Sequence, residues 1–392
     1  MASASGSDWV RTVRGLYLVA MAVFVVTVVI GILNGLDLVE FPRDVILTHV
    51  HAGTLGWLTL GIVATTFWLY RSSDRRLGIA LAVLIPLYAA AFFSGNLPAR
   101  AATGTLVLGA VVWLLVWAWR TYLAGPRSLP QLAATLGLTT FTYGAIIGVI
   151  LQIQFAAGAA WLTGDAIGAH ASAMVFSYVV LTAMGIIEWR LLGTTGLPRA
   201  GLLQLGALFV GGLVISLGLL TGQGQAAGGL YLLTELVAVI LFAVRMLPRA
   251  LRVPWAAAEP IRGVGLAAVW VLVAMLLFMY LVFQFISAGG DVTAISVGLL
   301  IASDHSVFIG VMTNLLFALV AAFVAGGVAR TGTADQVIFW AFNGGLVVFL
   351  AGLISESVDL KRIGSPIMGS AILLGLALLA MRLWSHEGAE PA

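Results

Sequence analysis

Twelve apolar runs of about 20 residues or more, separated by short polar breaks, take up almost the whole of this chain. They lie at roughly 13–35, 45–69, 77–95, 103–122, 134–158, 166–189, 202–220, 229–247, 263–287, 297–325, 337–355 and 366–384. A helix rises about 1.5 Å per residue, so a run of about 20 apolar residues crosses the hydrocarbon core of a bilayer. Charged residues make up 9% of the sequence and hydrophobic ones 61%, whereas a soluble domain carries roughly 25% charged residues. The expected fold is therefore an all-α integral membrane protein, a single transmembrane domain over 1–392 in contact with the lipid bilayer. The longest loop, near 248–262, reads PRALRVPWAAAEPIR, and no soluble domain fits between the runs. The first run is too long for a signal-peptide core, so no cleavable leader is expected.

Charge sets the orientation. With the N-terminus inside, fifteen of the 19 basic residues, Arg330 among them, fall on the cytoplasmic side, and only Arg43, Arg100, Lys361 and Arg362 fall outside. That asymmetry predicts a multi-pass protein of the cell (inner) membrane with both termini cytoplasmic. It also explains the basic balance by topology, so no nucleic-acid partner is expected.

Four of the five histidines lie on spans 2, 6 and 10, which all run from outside to inside. Written without gaps, HVHAGTLGWLTLGIVATTFW from His49 lies over HASAMVFSYVVLTAMGIIEW from His170. His49/His170, Ala52/Ala173, Trp57/Tyr178 and Trp68/Trp189 coincide. HAGTLGWLT from His51 likewise lies over HSVFIGVMT from His305, matching Gly56 with Gly310 and Thr59 with Thr313. This recurrence every four spans predicts three pseudo-symmetric four-helix repeats, at approximately 13–122, 134–247 and 263–384. The fifth histidine, His386, lies in the polar tail and is assigned no role.

At 1.5 Å per residue, His49, His51 and His170 sit roughly 6–10 Å below the outer ends of their helices, with His305 somewhat deeper. Residues i and i+2 on a helix differ by about 200°, so His49 and His51 point to opposite sides of span 2 and must serve two sites. Cysteine is absent, which excludes disulfides and thiolate ligands. Small neighbours (Ala52, Gly53, Ala171, Ser172, Ser306) leave room for a planar ligand. Neutral imidazoles with few nearby carboxylates point to haem iron.

The histidine segments resemble the catalytic subunit of haem-copper oxidases and the related nitric oxide reductases, chiefly the C family. HVHAGTLGW is similar to the HxH segment of that family's tenth span, and GAHASA to the start of its sixth span, which supplies a copper ligand. DLKR, at 359–362, stands where those oxidases keep a basic pair for haem propionates. The departures are specific. Span 7 here has neither histidine nor tyrosine, Met174 stands four after His170, and span 10 carries Ser303-Asp304-His305. The resemblance therefore implies haem b without copper and without a competent oxygen-reduction site.

Within the family the low-spin haem lies between spans 2 and 10, which here pairs His49 with His305. One repeat round, the equivalent pair is His51 with His170; the third position has serines at 303 and 172. The expectation is two bis-histidine b haems per chain, with a single haem at His49/His305 as the alternative. Lys361 and Arg362 are candidate propionate partners, and Arg43 a further one. Asp304 is a candidate acceptor for a ligand histidine. Glu235 is read either as part of a proton or quinol path or as a glutamate bonded to a neighbouring helix, and Glu188 as an interfacial ion pair. Gln152, Gln154, Asn314 and Asn343 are expected to bond between helices.

The resulting function is a haem-b membrane cytochrome in electron transfer or a redox role, exchanging electrons with a quinol or an extracytoplasmic partner, with additional subunits completing the path. Two alternatives stand beside it: a protein binding nitric oxide or another diatomic gas, which needs an open haem position, and a cofactor-free proton-coupled transporter. If the chain is an enzyme, it is an oxidoreductase.

Overall fold

The computed structural model describes residues 6–194, 196–257, 259–324 and 332–385; Arg330 and His386 lie outside them. The described residues are all-α, with 12 helices long and apolar enough to cross a membrane. Span 1 is Asp8–Gly35, span 2 Arg43–Tyr70, span 3 Arg75–Phe93 and span 4 Leu97–Ala124. Span 5 is Leu129–Ala157, span 6 Ala166–Leu192, span 7 Arg199–Leu220 and span 8 Gly224–Ala250. Span 9 is Ile261–Ser287, span 10 Val297–Val324, span 11 Thr333–Ile354 and span 12 Val358–Ser385.

Several helices outrun their apolar cores, because backbone hydrogen bonding continues where long basic side chains can reach the headgroup layer. Span 12 shows this most. Its apolar run starts near 366 but the helix starts at Val358, so Lys361 and Arg362 lie in its first two turns and not in the loop. Arg43 opens span 2, and Arg100, read as an outer charge, is buried within span 4.

Packing divides the chain into two compact units, Met1–Asn96 with Val253–Leu266 and Phe308–Ala392, and Leu97–Arg252 with Ala267–Val307. In the first unit span 12 packs on spans 11 and 1, and span 1 packs on spans 2 and 3. Spans 11 and 12 approach backbone to backbone. A Cβ on Gly345 would stand 2.5 Å from the Met368 nitrogen, so only glycine admits this contact. Asn314 and Asn343 exchange side-chain amide bonds of 2.8 and 3.0 Å between spans 10 and 11, as expected. In the second unit span 5 packs on spans 4 and 6, and span 7 packs on spans 6 and 8.

Burial singles out three helices. The most apolar windows of spans 2, 6 and 10 are 89%, 72% and 78% buried, against 61% or less for every other span. Each of the three also changes from α to π hydrogen bonding partway along, at Ala52–Thr59, Val175–Val180 and Ser306–Thr313. The first and third of these begin one residue after His51 and His305. Thr59 and Thr313 each donate a hydroxyl to the carbonyl five residues back, of Thr54 and Phe308, at 3.0 and 2.9 Å. Runs of π-helix are rare and gather at functional sites.

Candidate functional site

The four intramembrane histidines share one feature that the local fold imposes. Each has Nδ1 against a backbone carbonyl: His49 on Thr27 at 2.9 Å, His51 on Leu47 at 2.7 Å, His170 on Gly144 at 2.8 Å and His305 on Ile301 at 2.9 Å. A carbonyl only accepts, so Nδ1 carries the proton and donates. In a neutral imidazole Nε2 then keeps its lone pair. This is the tautomer and the orienting bond that metal-ligating histidines use.

The bonds fall into two kinds. His51 and His305 donate to their own helices, four residues back. His49 and His170 donate across to the preceding span, to Thr27 of span 1 and Gly144 of span 5. Four residues beyond each acceptor stands a glycine against the ring. A Cβ on Gly31 would lie 3.1 Å from His49 Cε1, and one on Gly148 would lie 2.7 Å from His170 Cε1. Each ring therefore lies on a helix surface bared of side chain, with its Nδ1–H fixed one turn earlier. All four histidines are half-buried.

The doublet on span 2 diverges as helix geometry requires. His49 turns to span 1, while His51 stacks on Phe92 of span 3, with ring centroids 3.7 Å apart and planes at 15°. Tyr88 meets the His51 ring edge-on at 6.2 Å. Below the doublet, Trp57 stacks on Phe24 at 4.9 Å and donates Nε1–H to Thr313 at 3.1 Å.

Lys361 and Arg362 converge on Asp37, in the turn after span 1, at 3.2 and 3.3 Å. One turn further along span 12, Ser365 donates to the Gly31 carbonyl at 3.3 Å. The basic pair thus stands one to two turns outward of the glycine that supports His49. Arg43 is exposed, six residues before His49. Asp304 does not accept from its neighbour His305, whose Nδ1–H goes to Ile301. Glu188 is buried and pairs with Arg245 of span 8 at 2.7 Å. Gln154 does not bond across helices; it accepts from the Trp161 and Leu162 amides at 2.9 and 3.0 Å. The Gln152 Oε1 is buried without a partner.

The chain matches no protein-family model, and no curated protein matches its sequence. Its chemistry is read from its own residues.

Sequence reasoning missed the partners that hold the rings: the Thr27 and Gly144 carbonyls, Gly31 and Gly148, and the Phe92 face under His51. A signal was present in TVVIG at 27–31 and GAIIG at 144–148. Small residues four apart mark a helix face open to close approach.

Among the described residues no group of three or more His, Cys, Asp or Glu side chains converges to hold a metal ion. Haem iron takes four ligands from the porphyrin and needs only one or two imidazoles from the protein. The donor set fits that requirement: single, separately held imidazoles with Nδ1–H fixed and small residues beside them.

Proposed function

We propose that this chain is a haem-b membrane cytochrome of oxidase-like architecture, in which His49, His51, His170 and His305 ligate two haems and no oxygen-reducing centre is present. The observation that carries this reading is the shared Nδ1–H bond of all four imidazoles to backbone carbonyls. It holds the proton away from Nε2 and fixes the ring plane before any ligand arrives, so little ordering remains to oppose binding. Bound haem supplies one-electron chemistry. The protein's part is to supply neutral imidazole donors, orient them, and keep their surroundings apolar. The threefold repeat inferred from sequence is supported by the π segments on spans 2, 6 and 10 and by the matching acceptors of His49 and His170. Lys361 and Arg362, outward of His49, are the propionate partners in this reading, exchanging their contact with Asp37.

Both termini are cytoplasmic in this account, which a C-terminal fluorescent-protein fusion reports by folding and an exported-phosphatase fusion by staying inactive. A quinol or an extracytoplasmic carrier exchanges the electrons. Electron paramagnetic resonance of the oxidised protein tests the ligand set. Low-spin ferric signals of paired imidazoles are expected; high-spin signals that respond to nitric oxide would place the chain among gas binders instead.

A further inference from the structure

Glu235 of span 8 is fully buried, and its carboxyl oxygens have no hydrogen-bond partner on a neighbouring helix. It is not the glutamate tied to a neighbouring helix that a membrane span usually holds. The polar group it interacts with is the hydroxyl of Tyr231, one turn earlier on the same face, which is likewise buried and has no other polar partner. Around them stands an aromatic wall. Phe176 of span 6 and Phe278 of span 9 stack at 3.5 Å, and the Tyr231 ring meets them at 5.8 and 5.6 Å.

No charge is at hand to balance a carboxylate. On span 8 the nearest cation is Arg245, ten residues on and already bonded to Glu188 and Gln204. Span 7 carries a charge only at its first residue, Arg199, and Ala267–Ser287 of span 9 carries none. Span 6 contributes His170, Tyr178, Glu188 and Arg190; of these Glu188 is paired to Arg245, and the His170 Nδ1–H is bonded to Gly144. An isolated carboxylate in such surroundings is too costly to persist, and a metal cation would find two oxygens and aromatic faces where it needs a full shell.

We propose that Glu235, with Tyr231, forms an exchangeable proton-binding site within the membrane: the carboxyl holds a proton at neutral pH and exchanges it reversibly with solvent by way of the tyrosine hydroxyl. The inference does not rest on haem, and either can fail alone. Its test uses the full-length chain in detergent. Dicyclohexylcarbodiimide reacts with protonated carboxyls in apolar surroundings, so peptide mapping is expected to find the adduct on Glu235, with labelling falling as pH is raised. Tyr231→Phe should keep the adduct but shift that pH dependence. Infrared spectra should show a protonated-carboxyl band that moves in D2O and is missing from Glu235→Gln, an isosteric change that leaves the helix intact. An unlabelled Glu235, labelling that ignores pH, or no band difference between the two proteins overturns the proposal.

Discussion

His170 donates its Nδ1–H to the carbonyl of Gly144 at 2.8 Å, and the Cε1 edge of its ring then lies against Gly148, one turn along the same helix. The His49 ring is held in the same manner by Thr27 and Gly31. A carbonyl and a glycine four residues apart thus make a seat for an imidazole. The first fixes the proton, and the second removes the side chain that would push the ring away.

Filling the seat should unseat the ring. In Gly148→Ala the new methyl stands 2.7 Å from His170 Cε1, closer than carbon atoms approach, whereas in Gly31→Ala the gap to His49 Cε1 is 3.1 Å. Bound haem per chain should fall markedly in the first and less in the second. Gly109→Ala, where a Cβ meets nothing within 4 Å, serves as the control and should leave the haem content unchanged. Circular dichroism on all three should show the same helix content.

Each ligand histidine should be individually necessary. His49→Ala, His51→Ala, His170→Ala and His305→Ala are each expected to cost one haem of two, and added imidazole should restore part of the low-spin spectrum by occupying the vacated position. Histidines that only bridged helices would change thermal stability and leave the spectrum alone.

The twelve spans were legible because a bilayer demands a run of about 20 apolar residues from any helix that crosses it. The divergence of His49 and His51 was legible too, since 100° per residue fixes it. What could not be read was set between helices. The seat for His49 comes from residues 27 and 31, and that for His170 from 144 and 148, contacts that helix periodicity does not report. The π segments were likewise hidden, because a shift from i−4 to i−5 bonding leaves the apolar pattern intact. Lys361 and Arg362 fell outside the apolar run at 366–384 because hydropathy marks where the hydrocarbon ends, not where the helix does.

The Glu188–Arg245 pair should matter to stability. Glu188 is buried, and its removal strands a largely buried guanidinium, which typically costs about 3–5 kcal/mol. Glu188→Ala should therefore lower the thermal midpoint in detergent strongly. Glu188→Gln should lower it less, because the glutamine amide oxygen can still accept from the Arg245 guanidinium that Glu188 now holds at 2.7 Å.

The reciprocal amide pair between spans 10 and 11 calls for a smaller effect. Intramembrane side-chain hydrogen bonds are worth about 0.6 kcal/mol on average and up to about 1.7. A double-mutant cycle over Asn314→Ala and Asn343→Ala should give a coupling in that range, with the double variant less damaged than the two singles added together.

The most direct test of the central claim is a pyridine haemochrome assay on the purified chain, with oxidised and dithionite-reduced spectra from the same sample. The account predicts b-type haem at two per chain, with sharp low-spin bands on reduction. A colourless protein, folded and helical but without haem, would contradict it.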